Sequence, residues 1–491
     1  MGIHMMEVDA GCSLSNLPDE VLQHIFSFLN IRNIARLRVL SRRFHTLCTT
    51  SPSLFFCERP LNPRLCNCSC PHVFNFMNTL PQHRPHAFKI NLLCFSSYCK
   101  IDEHRSLHDE WINKLFQTFQ VDELYLYYHL PSIFKSLSRF QSLKVLKHKM
   151  RGLIWVKLPV MKLASLETLY MQHVETEDSV GEWVSQSFPS LKSLFLSYIK
   201  VAMNSTEELE LTIRSSCLEV LSMDQCCAFK VVRITTENLR ALSYGICFPG
   251  HCHHHYDMAK KDDEIFVEIS APNLQSLFWK GAPTRLCYDE RTFKNLHVAT
   301  ITHLRFQNLN LLIQLFEAVH WARLLHIDTD MLKDIYGKPS ISFGNVRHFE
   351  ICVYQCFYYY NPCPKEEDYD NVGDVLFTFL KRLSNLETLT FVSDPFHDSK
   401  VEAKEYIFKG AVKMCEKRTK WKEIRGVKKL KFKLRSIYHS MILLIGMLKT
   451  HCVELEEMTL IYPSCYHELI AFYLNCLESA SSALSINCVS V

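Results

Sequence analysis

The chain has 491 residues, of which 48% are hydrophobic and 22% are charged. These values are ordinary for a soluble folded protein and argue against low-complexity disorder, while the length favours two or more domains or one elongated repeat array. The formal net charge of +4 is small for a chain of this size. A broad nucleic-acid-binding or membrane-binding surface is therefore not expected.

The 22 cysteines raise the question of disulfides, which form mainly in secreted proteins. The opening MGIHMMEVDAGC has no apolar core followed by a cleavage site, and the apolar run at 441–448 is too short to span a membrane. We therefore expect a chain of the nucleus or cytoplasm with reduced, mostly buried thiols. Cys488 begins a formal prenylation motif, but Ser490 and Val491 suit that motif poorly, so prenylation is not expected.

Residues 14–56 predict three short helices. Pro18 suits the first helical position, and the acidic Asp19 that follows complements the positive end of the helix dipole. Apolar residues then recur at helical spacing in three successive segments, and Ser41 can cap the third helix. Because so short a segment makes only a marginal core, we expect its leftover apolar surface to be buried against a partner.

This segment resembles an F-box, the motif that docks the Skp adaptor of cullin ubiquitin ligases. The resemblance rests on the opening LPDE at 17–20, the run IFSFL at 25–29 and the block VLSRRF at 39–44. In that family the Leu-Pro pair and the apolar residues that follow contact the adaptor. The resemblance therefore implies an adaptor-binding set that consists of Leu17, Pro18, Ile25, Leu29 and Phe44. The alternative is an unrelated three-helix cap on a repeat array.

A short motif, apolar-x-x-apolar-x-apolar, recurs along the rest of the chain. Its copies are Val121/Leu124/Leu126, Leu166/Leu169/Met171, Leu191/Leu194/Leu196, Leu218/Leu221/Met223, Leu239/Leu242/Tyr244, Leu274/Leu277/Trp279, Ile301/Leu304/Phe306, Val346/Phe349/Ile351, Leu386/Leu389/Phe391, Val427/Leu430/Phe432 and Leu455/Met458/Leu460. The last two apolar positions alternate with a non-core residue, which predicts a short strand with one buried face. The intervening residues 178–188 have helical spacing, so neighbouring units are expected to stack into a solenoid.

The pattern resembles that of leucine-rich repeats, and stretches such as ASLETLYM, FPSLKSLFLS and APNLQSLFWKG are similar to the plant F-box/LRR group. The expected fold class is α/β: a three-helix F-box followed by an irregular leucine-rich-repeat solenoid, a curved parallel sheet with helices or loops on the convex side. A conventional α/β domain is the alternative. The expected organisation is a tail at 1–12, the F-box at 13–56, a Cys-rich connector and first cap at 57–119, and repeats at 120–491, with a loop insertion near 354–370 and an end near 371–491 that is loosely similar to the FBD region of some members.

Residues between the core positions of each strand are expected to face the open, concave side of the sheet. Aromatic and Arg side chains are frequent at interface hot spots, so this face is a candidate target-binding surface. Its predicted residues are Tyr125, Tyr127, Tyr170, Gln172, Phe195, Asp224, Phe278, Lys280, Arg305 and Gln307. An error of one residue in the alternation would turn this set towards the core instead.

Motifs of catalysis and metal binding are weak or missing. Cys66, Cys68, Cys70 and His72 are spaced more closely than zinc ligand pairs normally are, and the histidines at 251–255 suit a solvated loop. The sequence has no phosphate-binding glycine loop, no GxSxG elbow and no HExxH motif. We expect no cofactor, no metal and no catalytic residue.

The resemblance implies the substrate-recognition subunit of an SCF-type E3 ubiquitin ligase. Such a subunit binds a Skp-type adaptor, and through it a cullin, while its repeats hold a protein target near the charged ubiquitin-conjugating enzyme. Two alternatives stay open: a protein-interaction scaffold that works outside a ligase, and a small-molecule-dependent co-receptor. The latter would favour basic residues that converge on the concave face, and in the sequence Lys280, Arg305, Lys431 and Lys433 look scattered. Nucleic-acid and membrane partners are not expected.

Overall fold

The computed structural model falls into two compact units, Met1–Leu218 (unit 1) and Glu219–Val491 (unit 2). The residues that it describes are 14–29, 31–50, 53–58, 88–94, 120–127, 137–177, 179–201, 210–226, 229–245, 265–280, 285–302, 309–328, 331–332, 342–353, 376, 378–393, 423–434, 445, 448–464 and 485–490. In this part of the chain, no helix is both long and apolar enough to cross a membrane.

Unit 1 opens with a 3-10 turn, Leu14–Asn16, and the three predicted helices, which are α1 Asp19–Ser27, α2 Ile31–Arg38 and α3 Arg42–Thr50. Pro18 is the N-cap of α1 rather than its first helical residue; its φ of −56° suits the ring restraint. The Ser41 hydroxyl accepts a hydrogen bond from the Phe44 amide at 3.0 Å, which confirms the predicted cap of α3.

The strands of unit 1 are β1 Ser53–Glu58, β2 Phe88–Cys94, β3 Val121–Tyr127, β4 Val145–Trp155, β5 Thr168–Thr176, β6 Ser193–Ser197, β7 Lys200–Val201 and β8 Glu210–Ser215. β1 to β6 pair in chain order, always parallel. A parallel pair needs a return segment, and between β5 and β6 it contains α4, Val180–Ser187, within the predicted helical stretch. Strand pairing starts at Ser53, directly after α3 and well before the expected first repeat.

Unit 2 has one further helix, α5 Leu309–Val319, and its strands are β9 Val220–Asp224, β10 Val231–Thr236, β11 Ala241–Gly245, β12 Phe266–Ser270, β13 Ser276–Lys280, β14 Arg285–Tyr288, β15 Val298–Thr302, β16 Leu324–Asp328, β17 His348–Val353, β18 Thr388–Ser393, β19 Lys429–Lys433, β20 Glu457–Tyr462 and β21 Ser485–Ser490. β9, β11, β13 and β15 to β21 pair in this order, always parallel, as the repeat interpretation predicts.

Three return segments of unit 2 contain strands where the sequence predicts helices or loops. β10 pairs with β12 and β12 with β14, both parallel, so a second sheet forms beside the first. Along β10 and β12, buried residues alternate with more exposed ones. The buried residues include Val232, Ile234, Val267 and Ile269. That period of two is a strand pattern.

Two repeat positions differ from the prediction. The expected copy at Ile301 belongs to β15, whose core residues are Ala299 and Ile301, while Leu304 and Phe306 lie outside the described residues. The next strand, β16, was not predicted, although its Leu325 and Ile327 are buried. Ala299 occupies a core position at which the repeat motif predicts a large apolar residue. The predicted copy, which starts at Ile301, therefore lies five residues after the buried residues Leu296, Ala299 and Ile301.

The thiols are less uniformly buried than expected. Cys48, Cys352 and Cys452 are buried, whereas Cys217, Cys287 and Cys488 are exposed. Burial raises the pKa of the Cys48 thiol to about 11 and that of Cys452 to about 12, so both stay protonated at neutral pH and pack as small apolar groups.

Candidate functional site

Helix α1 has apolar residues on two faces. Leu22 and Phe26 are buried against the other helices, and Phe26 packs on Phe44 with ring centroids 5.9 Å apart. A second face, here called the outer α1 face, is formed by residues three or four positions apart, namely Pro18, Val21, Ile25 and Phe28. Val21 is 43% exposed and Phe28 71% exposed, so this face is unusually apolar for a solvated surface.

The sequence-predicted adaptor-binding residues are thus divided by the structure. Pro18 is exposed, and Leu17, Ile25 and Leu29 are half-buried, so these four side chains reach the surface. Phe44 is only 9% exposed and supports α1 from inside. We therefore reassign Phe44 from direct contact to a supporting role, because its ring faces Phe26.

Sequence reasoning missed three large apolar side chains at this end of unit 1. Phe28, Val39 and Leu40 are 71%, 83% and 65% exposed. Phe28 lies in the IFSFL run at 25–29 but outside the predicted adaptor-binding set, because helical spacing alone does not show that the apolar residues of α1 divide between two faces. Val39 and Leu40 lie between α2 and α3. Two large apolar residues in a turn between helices could have predicted an exposed contact surface.

Arg43 ties α3 to the segment that leads into α1. Its guanidinium donates to the Asp19 carboxylate, with Nε 2.8 Å from Oδ1, and to the backbone carbonyls of Ser15 and Leu17, each at 2.5 Å. A planar guanidinium can make all of these hydrogen bonds at once, which a lysine ammonium cannot do in the same geometry. Arg43 therefore positions the Leu17-Pro18 pair on the outer side of the helices.

Replacing Arg43 by Lys should loosen this segment without unfolding the protein. The lost hydrogen bonds are worth about 1 kcal/mol after solvent screening, because the side chains are partly exposed. Hydrogen-exchange mass spectrometry of the full chain should then show roughly fivefold faster exchange over 14–29. Arg42→Lys, at the exposed neighbouring position, is the matched control; equal exchange in both variants would contradict the positioning role.

The open face of the sheet in unit 1 carries an aromatic row. Tyr125, Lys147, Tyr170 and Phe195 occupy matching register positions on β3 to β6. The Lys147 ammonium lies 4.9 Å from the ring centroid of Tyr125, and the rings of Tyr170 and Phe195 are 6.0 Å apart. All four side chains are half-buried, as expected for a face that is open but densely covered.

The predicted alternation thus places Tyr125, Tyr170 and Phe195 correctly on the open face of the sheet. The Tyr170 hydroxyl is 3.1 Å from the Gln172 side-chain oxygen, and Gln172 is only 9% exposed, so it supports this row more than it offers a contact. Lys147 was missed because the motif of β4 ends on a buried histidine, His148, in a core position. The side chain of Tyr127 lies outside the described part of the chain.

In unit 2, Phe278 is 38% exposed and Lys280 is exposed, in agreement with the predicted alternation. Asp224 is half-buried; burial raises the pKa of its carboxyl, and Lys280 acts against this rise. Gly245 leaves room for that carboxylate, since a Cβ there would lie 2.7 Å from Asp224 Oδ1. Arg305 and Gln307 lie outside the described residues.

Glu350 on β17 joins three strands of this open face. Its carboxylate accepts hydrogen bonds from His326 Nδ1 at 2.9 Å and from Lys433 Nζ at 3.0 Å. The hydrogen bond from His326, then that from Lys433, hold the pKa of Glu350 at about 2 despite its partial burial. The group is therefore a charged bridge within the sheet surface.

Acid should remove the stability that Glu350 provides. Its pKa is lower in the folded chain than its ordinary 4.5, so the contribution is complete above about pH 4.5 and is lost as the pH falls towards about 2. Glu350→Gln should cost on the order of 2 kcal/mol at neutral pH and progressively less below pH 4.5. Urea unfolding across this range measures the difference. Glu456→Gln, in an exposed ion pair, is the control; a Glu350→Gln cost that does not change with pH would contradict the assignment.

A metal centre finds no support in the described residues, which contain no group of three or more His, Cys, Asp or Glu side chains placed to hold an ion. The clusters at Cys66–His72 and His251–His255 lie outside that part of the chain.

Three short helices with an exposed apolar face thus precede a parallel-strand repeat array in this chain. Comparison with known families agrees: residues 14–56 match the F-box domain, and residues 110–318 match the family described as FBD-associated F-box protein At5g56370, LRR repeats. The chain therefore contains the F-box and the leucine-rich repeats that its sequence resembles.

Similarity to individual proteins is confined to short segments. F-box/LRR-repeat protein At3g62440 of Arabidopsis thaliana is 54% identical over 43 residues, 9% of each chain. Putative F-box/LRR-repeat protein At5g02930 of the same plant is 41% identical over 63 residues, 13% of each chain. The aligned segments thus span about a tenth of the length of these relatives.

Proposed function

We propose that this chain is the non-catalytic substrate-recognition subunit of an SCF-type E3 ubiquitin ligase. The outer α1 face carries the proposal: a solvated helix gains little from exposing Val21 and Phe28, but a partner that covers them gains the free energy of their burial. The F-box would bind a Skp-type adaptor and through it a cullin. The expected compartment is the nucleus or cytoplasm.

The repeats would hold a protein target for ubiquitination on their open face. The aromatic row of unit 1 supports this, since rigid Tyr and Phe side chains bury a large area at a low cost in conformational entropy. Such a receptor needs no reactive group of its own, because it acts by raising the effective concentration of a target lysine near the conjugating enzyme.

Co-purification of the full chain with a Skp-type adaptor tests the proposal. The native chain should retain the adaptor, and the double variant Leu17→Ala, Pro18→Ala should lose it while keeping its circular dichroism spectrum. A folded native chain that retains no adaptor would reject the ligase role and favour a free-standing interaction scaffold.

A further inference from the structure

Strand β19 presents three lysines to the open face of unit 2. Lys429, Lys431 and Lys433 alternate with the buried Leu430 and Phe432, so their side chains all leave the sheet on the side opposite the core. Residues two apart on a strand are about 7 Å apart along it. The sequence interpretation treated two of these lysines as scattered, whereas the strand aligns all three in one row, here called the lysine row.

The outer two lysines of the row are neutralised by neighbouring strands. Lys429 Nζ lies 2.9 Å from Glu457 Oε2 on β20, and Lys433 Nζ lies 3.0 Å from Glu350 Oε2 on β17. Asn487 and Thr459 add hydrogen bonds to the Glu457 carboxylate. These contacts hold the two glutamates in place as fixed parts of the surface.

The central lysine has no such partner in the part of the chain that the structure describes. Lys431 is half-buried between Thr390 on β18 and Thr459 on β20, which are its register neighbours, and no carboxylate of the described residues pairs with it. Three lysines and two glutamates leave one positive charge at the middle of the row. An anion supplied from outside can pair with this ammonium without displacing a built-in partner among the described residues.

We propose that Lys431 binds a carboxylate side chain of an acidic segment of the protein target. The proposal rests on the proposed function and specifies which chemistry the target presents. An extended peptide that runs along β19 places alternate side chains on one face at the same spacing as the lysine row, so one acidic residue can reach Lys431 while the side chains two positions away lie over the Lys429 and Lys433 ion pairs.

A carboxylate fits better than a phosphoryl group. One uncompensated charge matches a monoanion, whereas a phosphorylated residue carries about −1.5 to −2 and is usually recognised by arginine clusters. Strands β18, β19 and β20 contain no arginine. The two built-in pairs of the row are themselves lysine–carboxylate pairs, which shows that this surface accommodates that geometry.

Fluorescence anisotropy of a fluorescein-labelled threonine peptide with one central Glu, with the full chain as receptor, tests the proposal. The peptide should bind at least tenfold more tightly than its counterpart with a central Gln, and Lys431→Glu and Lys431→Met should each remove most of that difference. Lys428→Glu, an equal change of charge just before β19 and outside the alternation, should leave it within about twofold.

Adaptor co-purification separates this proposal from the ligase role. It should be unchanged in Lys431→Glu, because the lysine row and the outer α1 face share no residue. Equal binding of the Glu and Gln peptides, or an unaltered Lys431→Glu variant, would overturn the inference. A phosphoserine–threonine peptide that binds tenfold more tightly than the Glu peptide would also overturn it, in favour of a phosphorylated target.

Discussion

Phe28→Asp should abolish retention of the Skp-type adaptor. Phe28 is 71% exposed, so an aspartate there leaves the helical core intact, yet it places a charge within the surface that the adaptor is proposed to cover. Loss of a buried aromatic anchor costs on the order of 3 kcal/mol at an interface, a weakening of more than a hundredfold. Surface plasmon resonance with immobilised adaptor measures this loss.

Val160→Asp provides the matched control, because Val160 is fully exposed in unit 1 but lies outside the F-box helices. It should bind the adaptor as tightly as the native chain. Native affinity in Phe28→Asp would mean that the partner approaches from another side, and Val39 and Leu40, also exposed, would then be the residues to change next.

Gly181→Ala should strongly destabilise unit 1. Gly181 lies in the first turn of α4, where an added Cβ would overlap the carbonyl oxygen of Thr212 and lie 2.7 Å from its carbonyl carbon. Both groups are backbone, so neither can move aside by changing a rotamer. The overlap should cost about 3 kcal/mol, which exceeds the roughly 1 kcal/mol that alanine normally gains over glycine within a helix.

The sign of the effect makes this prediction sharp. Without the close approach of α4 to β8, the same substitution would raise the melting temperature rather than lower it. Differential scanning fluorimetry of the full chain should show a loss of several degrees. Gly344→Ala, where an added Cβ meets nothing within 4 Å, should change the melting temperature little; equal shifts in the two variants would refute the close approach.

The sequence predicts the repeat strands well where their core residues are large. Leu242, Leu277 and Trp279 mark β11 and β13 without ambiguity, since each fills a buried position on its own. β15 and β4 were harder because Ala299 and His148 take core positions that the motif assigns to larger apolar residues. Whether a small or polar residue is tolerated at a core position depends on how the side chains of neighbouring repeats fill the core. A local sequence pattern does not show this packing.

The second sheet of unit 2 had a local signal that went unused. VVRITT at 231–236 alternates between buried and more exposed positions, which is a strand pattern, but the return segments were expected to be helices or loops. At the candidate site, motif spacing predicted helix α1 but not which of its two apolar faces is outward. That division follows from the packing of Phe26 on Phe44, a contact between residues far apart in the sequence.

For the proposed ligase role, the short step from α3 to β1 has a consequence for which lysines of a target can be modified. Only two residues separate Thr50 from Ser53, and a connection of that length spans at most about 10 Å. Helices α1 and α2 also contact β1, so within unit 1 the F-box is packed against the first strand. In a ligase built on this chain, a cargo held by β3 to β6 would be presented at a set distance and angle, so the position of a lysine in the cargo would decide whether it receives ubiquitin.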